Sequence, residues 1–496
     1  MGLPRRQPAK AKRNVMPQPA RGSAAVSRAA QSSPAWERLR KRLRMPVERG
    51  LWPGLAACVF VDGRLRLLEE SGSADLESHT PMTRRSLVRI YSMTKCVIAA
   101  AVMQLVEEGL LGLDDDLSDH VPAFAGARVI LEGEDGLPDW SRLVPPSRTI
   151  RIRHLLTHTS GISSGLARGL DGPKTRNKRE RAWAEIYGPL VKLVDEGKVP
   201  NLAAWVDELA KCPLLDHPGK HYGYGYSYDV LGHIVELKTG KKLAQYLRQR
   251  IFDPLGMRDT GFDLGGGPSG GGSRGKTVAA AGSRSKRLSV LYRYTKSARF
   301  GSDGRKPRLV RVDPARRGTA SRWSAHCRVP SGGGGLSSLE GGLLSTLDDY
   351  AKFLLAVTSG GAHPVSGARI LQPSSAAEML ADQTAKLWRP GERPTPKSAC
   401  PYDDRGLGLS CIGELQRKGA PSWGKWFDGV PGCFLWGGAA SSAFKFDPNG
   451  GCPILAIVMT QVLPQEDGAT IRDLLRGVRE VLADEEVKQA RDENAK

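Results

Sequence analysis

Residues Tyr91-Ser92-Met93-Thr94-Lys95, followed by Cys96-Val97-Ile98-Ala99-Ala100-Ala101-Val102-Met103-Gln104-Leu105, decide how the chain is read. Val97, Ile98, Ala101, Val102 and Leu105 recur at helical spacing, and Gly109 supplies a stop. The stretch predicts a serine at the start of a buried helix with a lysine one turn further on. Residues i and i+3 share a helix face, so the hydroxyl and the amine can meet. A lone serine is a weak nucleophile at neutral pH, and an amine that burial or another cation keeps unprotonated can accept its proton. Ser-x-x-Lys alone fixes only two of four positions and also fits a helix cap followed by a surface lysine. The rest of the chain has to separate the two.

At 496 residues the chain has room for two or three domains, or one large domain with insertions, and its 40% hydrophobic content supports a substantial core. No apolar run approaches the 18 residues of a membrane span. The N-terminus lacks the compact apolar segment of a secretory signal. The eight cysteines, Cys58, Cys96, Cys212, Cys327, Cys400, Cys411, Cys433 and Cys452, form no C-x-x-C pair. They read as reduced thiols in an intracellular protein, cytoplasmic or organellar, and not as a metal site.

The net charge of +21 raises the question of nucleic acid, but its distribution argues against a specific binding groove. Residues 1–36 carry +7 with no acid, and residues 274–323 carry +13, so the remainder is nearly neutral. Both segments are poor in large apolar residues and rich in Gly, Pro or Ser, and read as flexible basic appendages, not as a folded groove with stacking aromatics. Residues 1–36 have the composition of an organelle transit peptide or of a disordered tail. Residues 264–335, rich in Gly, Ser and Arg, read as a flexible insertion ordered only at 288–294.

Between these segments, 37–50 predicts a helix, and 55–68 predicts two strands around the hairpin signal Asp62-Gly63. Helices are expected over 183–197, 202–211, 230–237, 243–251, 348–357 and 376–380. Strands are expected at 433–436, 442–446 and 454–462. Ile471, Leu474, Leu475, Val478 and Leu482 mark an amphipathic C-terminal helix, followed by a charged tail at 483–496.

Six segments in order resemble the serine β-lactamase and penicillin-binding-protein superfamily, in its class C-like branch and closest to the family VIII carboxylesterases. They are Tyr91-Ser92-Met93-Thr94-Lys95; His154-Leu155-Leu156-Thr157-His158-Thr159-Ser160-Gly161-Ile162; Pro218-Gly219; Asp229-Val230-Leu231-Gly232; Phe252-Asp253-Pro254-Leu255-Gly256-Met257; and Leu343-Leu344-Ser345-Thr346-Leu347-Asp348-Asp349-Tyr350. The resemblance covers residues 37–482. It implies an α/β (α+β) fold of the β-lactamase/transpeptidase type: an antiparallel sheet from both chain ends, flanked by helices, with an inserted helical domain and the active site between the two.

The resemblance also implies Ser92 as the acylated nucleophile and Lys95 as its proton partner. The family's second motif carries a tyrosine. Counting back from Asp229-Val230-Leu231-Gly232 selects Tyr224, with Tyr226 as the rival because Ser227 follows it. A phenol facing a cation gives up its proton more readily, which suits a general base that later acts as an acid. The remaining tyrosine is expected at the cleft wall against substrate. Trp436-Gly437-Gly438-Ala439 resembles the third motif, with Trp436, Gly437 and Gly438 against the substrate and the Ser92 and Ala439 N–H groups as the oxyanion hole. The asparagine of the second motif and the cation of the third are both missing here. Those two losses disfavour β-lactams and favour uncharged esters.

Two decoys stand apart. Gly161-Ile162-Ser163-Ser164-Gly165 matches the nucleophile-elbow pattern, which requires a strand before it and a helix after it. His158 resembles a triad base but falls in the family's Leu-Leu-Thr-His motif. The resulting expectation is a serine hydrolase acting on a small acyl ester through an acyl-enzyme, with no cofactor or metal. Within the fold the alternatives are a β-lactamase, a D-aminopeptidase or an acyltransferase. From another class, the alternative is a non-catalytic scaffold.

Overall fold

The computed structural model describes residues 33–163, 182–183, 185–264, 284–295, 308–312, 333, 342–383, 410–411, 432–449, 451–463 and 469–494. Nearly all of the basic segment 1–36, most of the insertion 264–335, and Ser164 and Gly165 of the elbow pattern lie outside the described residues. Among the described residues no helix is long and apolar enough to cross a membrane. None of their His, Cys, Asp and Glu side chains cluster in threes to hold a metal ion.

The frame is one seven-stranded antiparallel sheet. Its strands are β1 (Gly54–Val61), β2 (Arg64–Asp75), β3 (Thr80–Pro81), β4 (Ser410–Cys411), β5 (Phe434–Gly437), β6 (Ala443–Asp447) and β7 (Ile454–Met459), in the order β4-β5-β6-β7-β1-β2-β3. The two ends of the chain therefore meet at the β7–β1 pair, with Cys58 opposite Ile457. Val61 pairs with Arg64, leaving Asp62 and Gly63 as a two-residue loop with φ of 50° and 70°. Only residues tolerant of positive φ give a loop whose twist matches the strands.

Strand periodicity divides the core in two. Ala56 and Cys58 of β1, with Leu455, Ile457 and Met459 of β7, face one side. There they meet α2 (Thr94–Glu107) and α4 (Leu347–Thr358). Leu55, Ala57, Val59 and Val61, with Ile454, Ala456 and Val458, face the other. That side is covered by Trp36, Leu39 and Leu43 of α1 (Pro34–Glu48) and by Ile471, Leu474, Leu475 and Val478 of α5 (Ala469–Asn494). Helix α2 is buried on every side from Thr94 to Leu105. It forms the centre of the molecule, between the sheet and the helices that follow it. One of these is α3 (Ser227–Thr239), whose Val230, Leu231, Ile234 and Val235 join the same core. Each fully buried Leu, Ile or Val contributes roughly 1.5–3 kcal/mol.

Three expectations from the sequence need correction. The C-terminal helix does not give way to a tail at 483 but continues to Asn494. Glu485 accepts from Trp36 Nε1 at 2.9 Å and from Arg66 at 2.8 Å, which ties this turn to α1 and β2. The strand from Ile454 stops at Met459, because Val462–Leu463 turns away to pair in parallel with Tyr292–Tyr294. The insertion is ordered beyond 288–294, since Leu309–Arg311 adds a third strand to that small sheet. Tyr292 is buried and donates to the Glu77 carboxylate, while Arg311 reaches Glu77 at 3.4 Å.

His154, on the short helix Ile152–Leu156, supplies a pH dependence. Its Nδ1 accepts from the Arg151 N–H at 3.0 Å. Burial, with Arg148, Arg151 and Arg153 nearby, holds its pKa down at about 4. An unfolded histidine titrates near 6.5, so between about pH 6.5 and 4 the unfolded chain binds a proton that the native state refuses. That stability is fully present above the window and falls as pH drops through it, by on the order of 3 kcal/mol. The urea midpoint should therefore fall further between pH 7 and 4.5 in wild type than in His154→Asn. Equal falls would remove His154 as the cause.

Candidate active site

The site is built where three short pieces meet at the N-terminal end of α2. Tyr91–Met93 forms a 3₁₀ turn leading directly into α2. Tyr91 adopts a φ of 44°, a left-handed conformation that a tyrosine takes only when its surroundings enforce it. The turn is fixed from behind: Tyr350 OH donates to the Met93 carbonyl at 2.9 Å, and Leu343 N–H donates to Thr94 Oγ1 at 2.9 Å. Ser92 is thereby held at the edge of the core, 9% exposed, while Lys95 is 1% exposed in the first turn of the helix.

Tyr224 reaches this turn from the loop before α3. Its hydroxyl lies 2.7 Å from Ser92 Oγ. Lys95 Nζ sits 4.7 Å from the centroid of the Tyr224 ring, over its face. A buried ammonium needs hydrogen-bond acceptors and a nearby negative potential. Lys95 Nζ donates to the Gly333 carbonyl, and the Gly333 N–H donates to Asp229 Oδ1 at 3.1 Å. One residue thus connects a buried cation to a fully buried carboxylate in the first turn of α3, where the helix dipole favours a negative charge. A Cβ at Gly333 would lie 2.4 Å from Asp229 Oδ2, so the contact needs glycine.

The third piece is the end of β5. Trp436 Nε1 donates to the Ser92 carbonyl at 2.8 Å. A Cβ on Gly438 would lie 2.5 Å from the Ile90 carbonyl oxygen, so the strand end lies flush against the serine turn only because this residue has no side chain. The Gly438 N–H donates to the Ser442 carbonyl at 2.7 Å. Ala439 follows, buried with Ala440, Tyr91 and Leu291 in one small cluster. Trp436 is nearly buried, Gly437 is partly exposed and Gly438 is buried.

Ser92, Lys95, Tyr224, Trp436 and Gly438 are therefore brought together, with Ala439 packed against Tyr91. Tyr226, expected to face substrate, is not part of this group. It is 1% exposed, with its ring edge-on to Trp205 at 5.1 Å and 6.0 Å from Tyr187. Tyr222 and Tyr224 both pack on His158, whereas Tyr226 turns into the helical core between Trp205 and Tyr187. Ser163 is buried in a loop after a short helix, its hydroxyl 3.4 Å from the Tyr224 carbonyl, and so lacks the strand that an elbow needs. The sequence reading missed Asp229 and Gly333. Asp229 carried a signal, a carboxylate in the first turn of a helix just past the tyrosine motif. Gly333 carried none, being one glycine among several.

The comparisons with known proteins agree with this architecture. A family model described as Beta-lactamase matches residues 39–480. Protein Rv1367c of Mycobacterium tuberculosis is 30% identical over 417 residues, 84% of this chain and 88% of that protein. Esterase EstB of Burkholderia gladioli is 33% identical over 214 residues, 42% of this chain and 47% of that protein. Among solved structures, EstCE1, described as a hydrolase with promiscuous acyltransferase activity, superposes with a TM-score of 0.61 at 23% identity. The match covers 92% of this chain and 99% of that one, and at this identity it speaks to the fold alone. With the family model spanning nearly the whole described chain, the protein belongs to the Beta-lactamase family, whose fold underlies serine-hydrolase catalysis.

Proposed function

We propose that the chain is a serine hydrolase that forms an acyl-enzyme on Ser92 and acts as a carboxylesterase on small, uncharged acyl esters. The observation that carries this reading is the 2.7 Å contact between the Ser92 and Tyr224 hydroxyls, with the Lys95 amine over the Tyr224 ring. Ser92 Oγ attacks the ester carbonyl while its proton passes to the oxygen of Tyr224, which acts in its phenolate form with the Lys95 ammonium balancing its charge. The Ser92 and Ala439 N–H groups receive the oxyanion, and Tyr224 returns the proton to the departing alkoxide as the ester C–O bond breaks. Water then attacks the acyl-enzyme, giving its proton to Tyr224, and the acid leaves as Ser92 regains its hydrogen. Lys95 supplies positive charge beneath the phenol throughout.

Ester preference is supported by the third motif. Trp436-Gly437-Gly438 carries no cation to anchor a substrate carboxylate, and Tyr226 stands where an amide-binding asparagine would be. The 33% identity to a protein named an esterase points the same way over the matched 42% of the chain. We expect hydrolysis of p-nitrophenyl butyrate with kcat/KM at least a hundredfold above that for nitrocefin. The reverse order would mark the enzyme as a β-lactamase. Faster p-nitrophenol release on adding an alcohol, with the new ester as product, would mark it as an acyltransferase.

A further inference from the structure

His158 is the residue in contact with both distant halves of the site that the mechanism leaves without a role. It adopts a φ of 56°, left-handed and rare for a side chain with a Cβ. It is 2% exposed. Its carbonyl accepts from the Gly223 N–H at 2.8 Å, one residue before Tyr224. Its ring lies 4.7 Å from the Tyr224 ring and 5.0 Å from that of Tyr228. It also lies parallel to the Trp436 indole, 3° between planes and 6.4 Å between centroids, and the Tyr224 and Trp436 rings are 6.2 Å apart. Tyr228 is itself anchored, its hydroxyl donating to the Leu156 carbonyl at 2.7 Å.

A strained backbone held this firmly is a feature to be explained by what it positions. The backbone of His158 grips the loop that carries Tyr224, and its ring packs on the phenol, which itself lies 6.2 Å from the indole bonded to the Ser92 carbonyl. We propose that His158 is a positioning residue that fixes the Tyr224 phenol against Ser92 through ring packing. His158 takes no proton in the reaction. The proposal rests on the assignment of Ser92 and Tyr224 given above. Losing the ring lets the phenol leave its attacking geometry, and a displacement of an ångström or so is enough to slow the chemical step by tens of times.

Two substitutions in the full chain separate ring from backbone. His158→Asn removes the ring while keeping a residue that tolerates left-handed φ, and His158→Phe keeps a ring of similar size without the nitrogens. We expect the Asn variant to lose 10–100-fold in kcat and in the rate of fluorophosphonate labelling, with KM within threefold. The Phe variant should stay within threefold of wild type in all three. Hydrogen exchange across residues 219–226 should rise in the Asn variant and not in the Phe variant. Wild-type labelling by a folded Asn variant would overturn the proposal, and so would a Phe variant slowed as far as the Asn variant. If His158→Asn does not fold, His158→Gln takes its place under the same criteria. If wild type itself does not label, the assignment of Ser92 falls separately, and unchanged exchange in the Asn variant would still overturn the His158 contact.

Discussion

Replacing Ser92 by alanine is expected to lower ester turnover by on the order of 10⁴–10⁶-fold in kcat, as loss of a nucleophile does in other serine hydrolases. The size follows from the site. Ser92 is held at the head of α2 with its hydroxyl 2.7 Å from the Tyr224 phenol. Its backbone carbonyl is tied to Trp436. No neighbour among the residues assembled here substitutes for its oxygen: Ser163 Oγ is turned toward the Tyr224 carbonyl, 3.4 Å away. Removing one oxygen from a side chain that is 9% exposed leaves the turn intact, so the melting temperature should move little. Progress curves with p-nitrophenyl butyrate and a thermal melt measure both quantities. Residual turnover above about one percent of wild type would mean that another residue, or another route, carries the reaction.

The second large effect distinguishes two tyrosines separated by one residue. Tyr224→Phe deletes the group that contacts Ser92 Oγ and should lower kcat by about 10²–10⁴-fold, the range for loss of a general acid–base catalyst, with KM changed only severalfold. Tyr226→Phe removes a hydroxyl from a buried ring packed on Trp205. It should cost about 1 kcal/mol of stability and leave kcat within threefold. The contrast depends on where each ring packs, Tyr224 against Ser92 and Tyr226 against Trp205, not on the chemistry of tyrosine. Measured with the same ester, equal losses in the two variants, or a larger loss at Tyr226, would reverse the assignment.

The sequence made the frame legible wherever local physics fixed it. Asp62-Gly63 announced the β1–β2 hairpin because a two-residue loop needs positive φ. The 3.6-residue repeat announced α2, although the repeat alone did not show that its remaining faces are buried as well. Ser92, Lys95 and Tyr224 were readable from their motifs, and their meeting depends on the fold bringing residue 224 back to residue 92. What was not readable depends on tertiary choice. The departure of Val462–Leu463 from its strand is decided by a partner at Tyr292–Tyr294, in a segment whose composition suggested no sheet. The carbonyl on Lys95 comes from Gly333, a residue 238 positions away with nothing to single it out. The continuation of α5 past 483 rests on Glu485 meeting Trp36 and Arg66 from the opposite end of the chain.

The account as a whole stands on a covalent bond forming at one oxygen. The most direct test is the intact mass of the protein after brief incubation with an activated ester, followed by mapping of the modified peptide. The account predicts a single acyl adduct on the peptide containing Tyr91-Ser92-Met93-Thr94-Lys95, lost in Ser92→Ala and accumulating in variants slowed at the second step. Ester turnover with the adduct on any other residue, or turnover undiminished in Ser92→Ala, would contradict it.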